Sequence, residues 1–340
     1  MSRLPRDTQG HAEMIRLSER QRATIRWIFT GSCGIRAGWS ILIFLICLAV
    51  PSFVLNLILS KLLHMHRPKE LSPFGLLLTE TVLFAFIMAA TWVMARIEKR
   101  PVLHYGLAGR RPVTHFLAGF AGGFLCLSAL VGVLAGGGYL VFDGEALHGA
   151  AVLQFGFVWL VAFALVGFSE ETLFRGYMQT TLTRGMGFWP GAVVLSLLFG
   201  AAHVKNNGES VLGITEVVAA GLVFCLLLRV SGSLWLGIGF HAAWDWAQTF
   251  LYGTPDSGYV AFDHFLASHA AGNVLISGGS AGPEGSTLAP PMMLGGLLVV
   301  LLVCRLAGLF DSSGETGPGR AALPRSSGQS LDPALDEGLV

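Results

Sequence analysis

Four side chains able to exchange protons or ligate a metal fall in three strongly apolar stretches of this sequence: Glu170 in "GFSEETLFRG", His203 ending "WPGAVVLSLLFGAAH", and His241 with Asp245 in "GIGFHAAWDWAQ". An ionisable group in mid-membrane costs at least about 2.5–3.5 kcal/mol, so each is a functional candidate unless a local partner explains it. Glu171 and Arg175 have such an explanation, because residues four apart share one helical face and can pair. Glu170 is turned by about 100° from Glu171 and is the less well neutralised carboxylate, free to face a polar cavity. Phe199 stands one turn before His203 and can pack beside its ring, while His241 and Asp245 repeat that spacing and present an imidazole and a carboxylate together. Proton transfer in an enzyme, metal ligation, and a proton or cation path through the membrane are all open to such a set.

The elements that must position these groups are membrane helices. Of 340 residues, 53% are hydrophobic and only 13% charged, about half the charge of a soluble domain. Apolar runs of about 20 residues, long enough to cross about 30 Å of hydrocarbon, alternate with short polar connections. The reading is an all-α polytopic bundle of eight spans near 38–60, 72–95, 115–142, 151–183, 189–204, 213–229, 233–251 and 292–310. Pro51 is expected to kink the first, and "RVSGS" reads as a tight turn between the sixth and seventh. At about 1.5 Å per residue, Glu170, His203 and Asp245 lie about 21 Å and His241 about 15 Å from the inner ends of their spans. Three separate helices thus bring Glu, His, His and Asp to similar depth.

Positive charge collects on cytoplasmic segments. Arg3, Arg6, Arg16, Arg20, Arg22, Arg26 and Arg36 crowd the N-terminal segment 1–37, and Lys99, Arg100, Arg110 and Arg111 follow the second span. Both segments are expected inside, giving an N-in, C-in topology around a membrane domain at 38–310. Lys61, Arg67 and Lys69 in the first outer loop run against that pattern. The Gly-, Ser- and His-rich segment 253–290 reads as an external loop with a short surface helix, and 311–340 has the composition of a disordered cytoplasmic tail. Cys33, Cys47, Cys126, Cys225 and Cys304 show no metal-finger spacing and read as inert core thiols. The arginine-rich start lacks a cleavable signal pattern.

In order along the chain, Glu-Glu-x-x-x-Arg (Glu170, Glu171, Arg175), Phe-x-x-x-His (Phe199, His203) and His-x-x-x-Asp (His241, Asp245) resemble the CPBP family of intramembrane proteases. That family includes the type II CAAX prenyl endopeptidases and bacterial relatives, some of them Abi proteins linked to bacteriocin self-immunity. The resemblance covers about 151–252, and "RPVLHYGLAGRRP" before the third span adds a less diagnostic likeness. It implies metalloprotease or metal-free glutamate proteolysis inside the membrane, with Glu170 activating water. A carboxylate out of water is a strong proton acceptor, which agrees with that role. His203 then shares the water or binds a metal, and His241 with Asp245 orients water or steadies the oxyanion. Glu171, Arg175 and Phe199 support the site. Eukaryotic members carry Asn where this chain has Asp245; an ionised Asp only accepts hydrogen bonds, so it would orient His241 or ligate metal. Glu170, His203, His241 and Asp245 are the ligand set for Zn2+ if a metal is used, with an open position for water.

Other patterns carry less. Gly278, Ser280 and Gly282 match GxSxG outside the strand–turn–helix setting of a nucleophile elbow, and no HExxH occurs. Glu80 and Glu216 are further carboxylates in apolar runs with no evident partner, and Pro283-Glu284-Gly285 resembles a loop of some bacterial relatives without a role that spacing supplies. The expected partner is a membrane-embedded or lipid-anchored peptide or protein in a bacterial plasma membrane; nucleic acid is not expected. The rival readings are an ion- or proton-coupled transporter or channel, and a non-proteolytic immunity or scaffold protein of the same fold.

Overall fold

Backbone N–H and C=O groups surrounded by hydrocarbon must be satisfied within their own segment, and a helix does this. A computed structural model describes residues 18–31, 34–62, 71–206 and 208–310. In chain order the elements are α1 (Glu19–Phe29), β1 (Thr30–Gly31), β2 (Gly34–Ile35), α2 (Ala37–Leu57), α3 (Pro73–Glu98), α4 (Pro112–Gly136), β3 (Leu140–Glu145), α5 (Ala150–Glu171), α6 (Gln179–Met186), α7 (Phe188–His203), α8 (Val211–Ser231), α9 (Trp235–Trp246), β4 (Leu266–Ala270), α10 (Val274–Ser277) and α11 (Ala289–Leu306). The chain is a polytopic helical membrane protein. Large apolar side chains such as Leu42, Phe53, Leu78, Leu153, Leu197 and Leu298 remain exposed on its outer helices, where lipid rather than water is the fitting neighbour.

Among the described residues six helices, not eight, are long and apolar enough to cross a membrane: Ala37–Lys61, Pro73–Glu98, Pro112–Gly136, Ala150–Met186, Val211–Ser231 and Ala289–Leu306. The two others expected, near 189–204 and 233–251, are α7, which has 16 residues, and α9, which has 12 before its last turn widens. The cause is visible in α9, where every residue from Leu236 to Asp245 is buried against α4, α5 and α8. A helix enclosed by protein need not match the bilayer's thickness. Arg3, Arg6 and Arg16, Arg67 and Lys69, Cys33 and the 311–340 tail lie outside the described residues. Cys47, Cys126, Cys225 and Cys304 are free thiols.

Local signals set the boundaries. Ser72 accepts from the Gly75 amide with Pro73 opening α3, and Ser210 accepts from the Gly213 amide at the start of α8, which Gly232 ends in the left-handed conformation. α2 continues through Pro51 to Leu57. The third span stops at Gly136 instead of 142, because three successive glycines weaken the helix and the following "LVFDGE" pairs as a strand. β3 runs antiparallel to β4, from Leu140 opposite Ala270 to Glu145 opposite Leu266. The segment expected as a plain external loop therefore contains β4, the four-residue α10 and tight turns. It is also stitched to the start of α3, where the Leu71 amide donates to the Val260 carbonyl and the Phe262 amide to that of Leu71.

At the other end of the bundle one carboxylate joins three elements. Glu98 closes α3 and accepts from Arg184 Nη2 at 2.7 Å, Tyr177 Oη at 2.7 Å and Tyr105 Oη at 3.1 Å. α3 is thereby tied to the chain segment that leaves the candidate site.

The crossing of α4 and α9 seats the most enclosed helix, and glycine makes it possible. A Cβ on Gly119 would lie 2.0 Å from the Leu236 carbonyl oxygen, and one on Gly239 would lie 2.0 Å from that of Phe116. The two backbones are in direct contact, so neither can give way. Gly119→Ala should therefore lower the melting temperature of the purified protein in detergent by an amount matching an overpacking cost of about 1–3 kcal/mol or more. Gly295→Ala in α11, whose Cβ would meet nothing within 4 Å, should leave it unchanged.

Candidate active site

α5 delivers Glu170 and Glu171 in its last turn, and the helix then widens into a π-helical segment over Thr172–Met178, a distortion common at functional sites. Arg175 in that segment donates through Nη1 to Glu171 Oε1 at 3.2 Å. Both side chains are buried, at 0% and 1% exposure. The guanidinium is 4.3 Å from the Phe199 ring centroid, 5.2 Å from that of Phe224 and 5.6 Å from that of Phe174. Aromatic faces thus cover a cation whose Nε and Nη2 have no hydrogen-bond partner. The expected ion pair is present, and its aromatic lining adds Phe224 to what sequence spacing suggested.

Glu171 has a second contact. Its Oε1 lies 3.3 Å from His241 Nδ1, and the His241 ring stacks on Phe224 with centroids 4.8 Å apart and 19° between planes. His241 Nε2 faces Asp245 Oδ2 at 3.4 Å and Glu170 Oε2 at 3.6 Å. A carboxylate only accepts, so each ring nitrogen facing one carries hydrogen unless the carboxyl holds the proton. His241 is thus the meeting point of three carboxyl groups, those of Glu170, Glu171 and Asp245. His203 is fixed differently: its Nδ1 donates to the Phe199 carbonyl at 2.8 Å, and its ring meets that of Phe199 edge-on at 4.9 Å. A carbonyl cannot donate, so Nδ1 carries the hydrogen and Nε2 is left for other business.

Glu170, Phe199, His203, His241 and Asp245 line one cavity of 440 Å³. The structure therefore brings together all four residues expected to do chemistry, from α5, α7 and α9. Glu171 and Arg175 sit behind the wall as braces.

The same cavity is lined by Glu80, Glu216, Asp256 and Glu284, which sequence spacing left without a role. Glu216 is 1% exposed, and its Oε1 has no hydrogen-bond partner. Asp256 accepts from Thr249 Oγ1 at 3.0 Å. Glu284 Oε1 accepts from Gln248 Nε2 at 3.2 Å and from the Ser257 amide. Gln248 and Thr249 lie in a second widened turn, Ala247–Leu251, directly after α9. Glu284 reaches the cavity because Gly282 holds φ +92°, where an added Cβ would lie 2.0 Å from the Pro255 carbonyl oxygen. Loss of water lifts the Glu284 carboxyl above the ordinary range, and the Asp256 charge lifts it further; Asp256 is raised by the same loss of water and by Asp245. The signals available in the sequence were the unpaired Glu216 in "GITEVVAAGLVF" and the glycines around Glu284.

Zinc needs three or four donors about 2.0–2.2 Å from a common point. Among the described residues no three His, Cys, Asp or Glu side chains converge closely enough to hold a metal ion. The expected ligand set of Glu170, His203, His241 and Asp245 lines one cavity but does not form such a group.

Residues 152–247 match the family of type II CAAX prenyl endopeptidase Rce1-like proteins. An uncharacterized 24.3 kDa protein of Escherichia coli is 36% identical over 84 residues, which are 24% of this chain and 38% of that protein. The chain thus spans well under half of that relative's length. No solved structure matches. The matched segment runs from the start of α5 to the end of α9 and contains Glu170, His203, His241 and Asp245, so over this core the chain is similar to the type II CAAX prenyl endopeptidase Rce1-like family.

Proposed function

We propose that this membrane protein is an endopeptidase that hydrolyses a peptide bond of a membrane-embedded or lipid-anchored substrate, in a bacterial plasma membrane, with Glu170 as the general base. The observation that carries the reading is the meeting of Glu170, His203 and His241 in one cavity, reached from three helices of the family segment.

In this mechanism Glu170 removes a proton from a water held in the cavity, and the hydroxide oxygen bonds to the scissile carbonyl carbon. Negative charge develops on the carbonyl oxygen, where a facing hydrogen-bond donor is worth most; His203 Nε2, whose ring partner Nδ1 is held by the Phe199 carbonyl, supplies one when it carries a proton. The C–N bond then breaks, and the leaving amine takes the proton from Glu170. Asp245 faces His241 Nε2 and helps set its ring, while Glu171, clamped by Arg175, holds the other ring nitrogen. Every step draws on side chains of this chain.

Glu170→Ala or His203→Ala should cut peptide cleavage by about 10²–10⁴-fold, with membrane insertion and melting temperature kept. Full activity in either variant would overturn the assignment. Treatment of the purified enzyme with a chelator should change its rate by less than about twofold. A lost rate restored by Zn2+ would instead make Glu170 and His203 metal ligands.

A further inference from the structure

The cavity holds far more carboxyl groups than one water-activating glutamate needs. Six carboxyl groups line it, those of Glu80, Glu170, Glu216, Asp245, Asp256 and Glu284, and no Lys or Arg does so among the described residues. Three of them, Glu216, Asp256 and Glu284, form a separate wall on the side of the 253–288 segment: the turn carrying Glu284 packs against α8, which carries Glu216. Residues whose only task was to fix that loop would be satisfied within it. Glu216 is not, being 99% buried with Oε1 unpartnered in the cavity wall. Both bonds recorded for Glu284 fall on Oε1.

A buried acceptor without a donor is expensive, and closely set carboxyls repel when ionised. A cation with several N–H groups removes both penalties at once. The size of the space chooses among cations. No three of these donors converge on a point, which disfavours a small metal ion, whereas 440 Å³ admits an ammonium or guanidinium on its stem. Apolar walls at Val217, Trp244 and Met293 suit the methylenes of such a stem.

Resting on the endopeptidase reading, we propose that Glu216, Asp256 and Glu284 form a specificity pocket for a Lys or Arg side chain of the substrate close to its scissile bond. A basic side chain inside an otherwise apolar segment would thereby mark the peptide to be cut. Burial raises the proton affinity of Asp256 and Glu284, and a bound ammonium would favour their ionised forms.

The test uses full-length protein in detergent and N-acetylated fluorescent apolar peptides, paired so that members differ only by Lys or isosteric, uncharged norleucine at one position moved along the peptide. Binding is measured on the His203→Ala protein, which keeps all six carboxylates, and cleavage on the wild type. At one position Lys should raise affinity by about tenfold over norleucine. Glu216→Gln or Glu284→Gln should bring that ratio to within about twofold while norleucine binding is unchanged. Equal affinity for Lys and norleucine at every position overturns the proposal, as does a Lys preference that survives both substitutions. Lys-selective binding without cleavage of any peptide by the wild type would sink the endopeptidase reading and leave the cation pocket standing.

Discussion

The arrangement turns on one ion pair enclosed by protein. Taking a carboxylate and a guanidinium out of water costs several kcal/mol per ion, and mutual attraction repays this only when further partners complete the geometry. Here the completion comes from elsewhere in the fold: Phe199 from α7, Phe224 from α8 and His241 from α9 all lie against Glu171 or Arg175. Removing either charge would strand the other, at a cost of about 3–5 kcal/mol. The pair therefore specifies how four helices meet, and the chemically exposed groups inherit their positions from it. Glu170 can remain partly open at 26% exposure because its neighbour in sequence is locked.

Two widened helical turns extend this logic. One follows Glu171 and contains Arg175; the other follows the helix that carries His241 and Asp245 and contains Gln248 and Thr249. A π-helical turn rotates whatever comes after it relative to a regular helix. In the first case the guanidinium still reaches back to Glu171, and in the second Gln248 and Thr249 face the loop acids. A single chain direction thus serves the reacting groups first and their enclosure next.

Much of the architecture was legible because hydropathy is a strong signal at membrane scale. Long spans such as α2, α3 and α8 follow their hydropathy runs to within a few residues, and counting depth along three helices is enough to bring Glu170, His203, His241 and Asp245 together. The failures have physical causes. α9 reads as a span because it is apolar throughout, yet it is apolar for being wrapped in other helices. β3 and β4 escaped notice because their partnership joins residues more than a hundred positions apart, and neither is convincing alone. The acidic wall was missed for a similar reason: Glu216, Asp256 and Glu284 sit in three different segments, one of them a tight glycine-rich turn whose target a linear reading does not reveal.

Gly282 has a consequence for kinship. The turn it permits brings Glu284 to the cavity from well beyond residue 247, where the family match ends. α4, which seats the most enclosed helix, lies before the match begins. The shared segment thus carries only part of its own cavity wall. Two chains alike over those residues can therefore differ in what lines the cavity, because Asp256 and Glu284 come from sequence that the likeness does not reach.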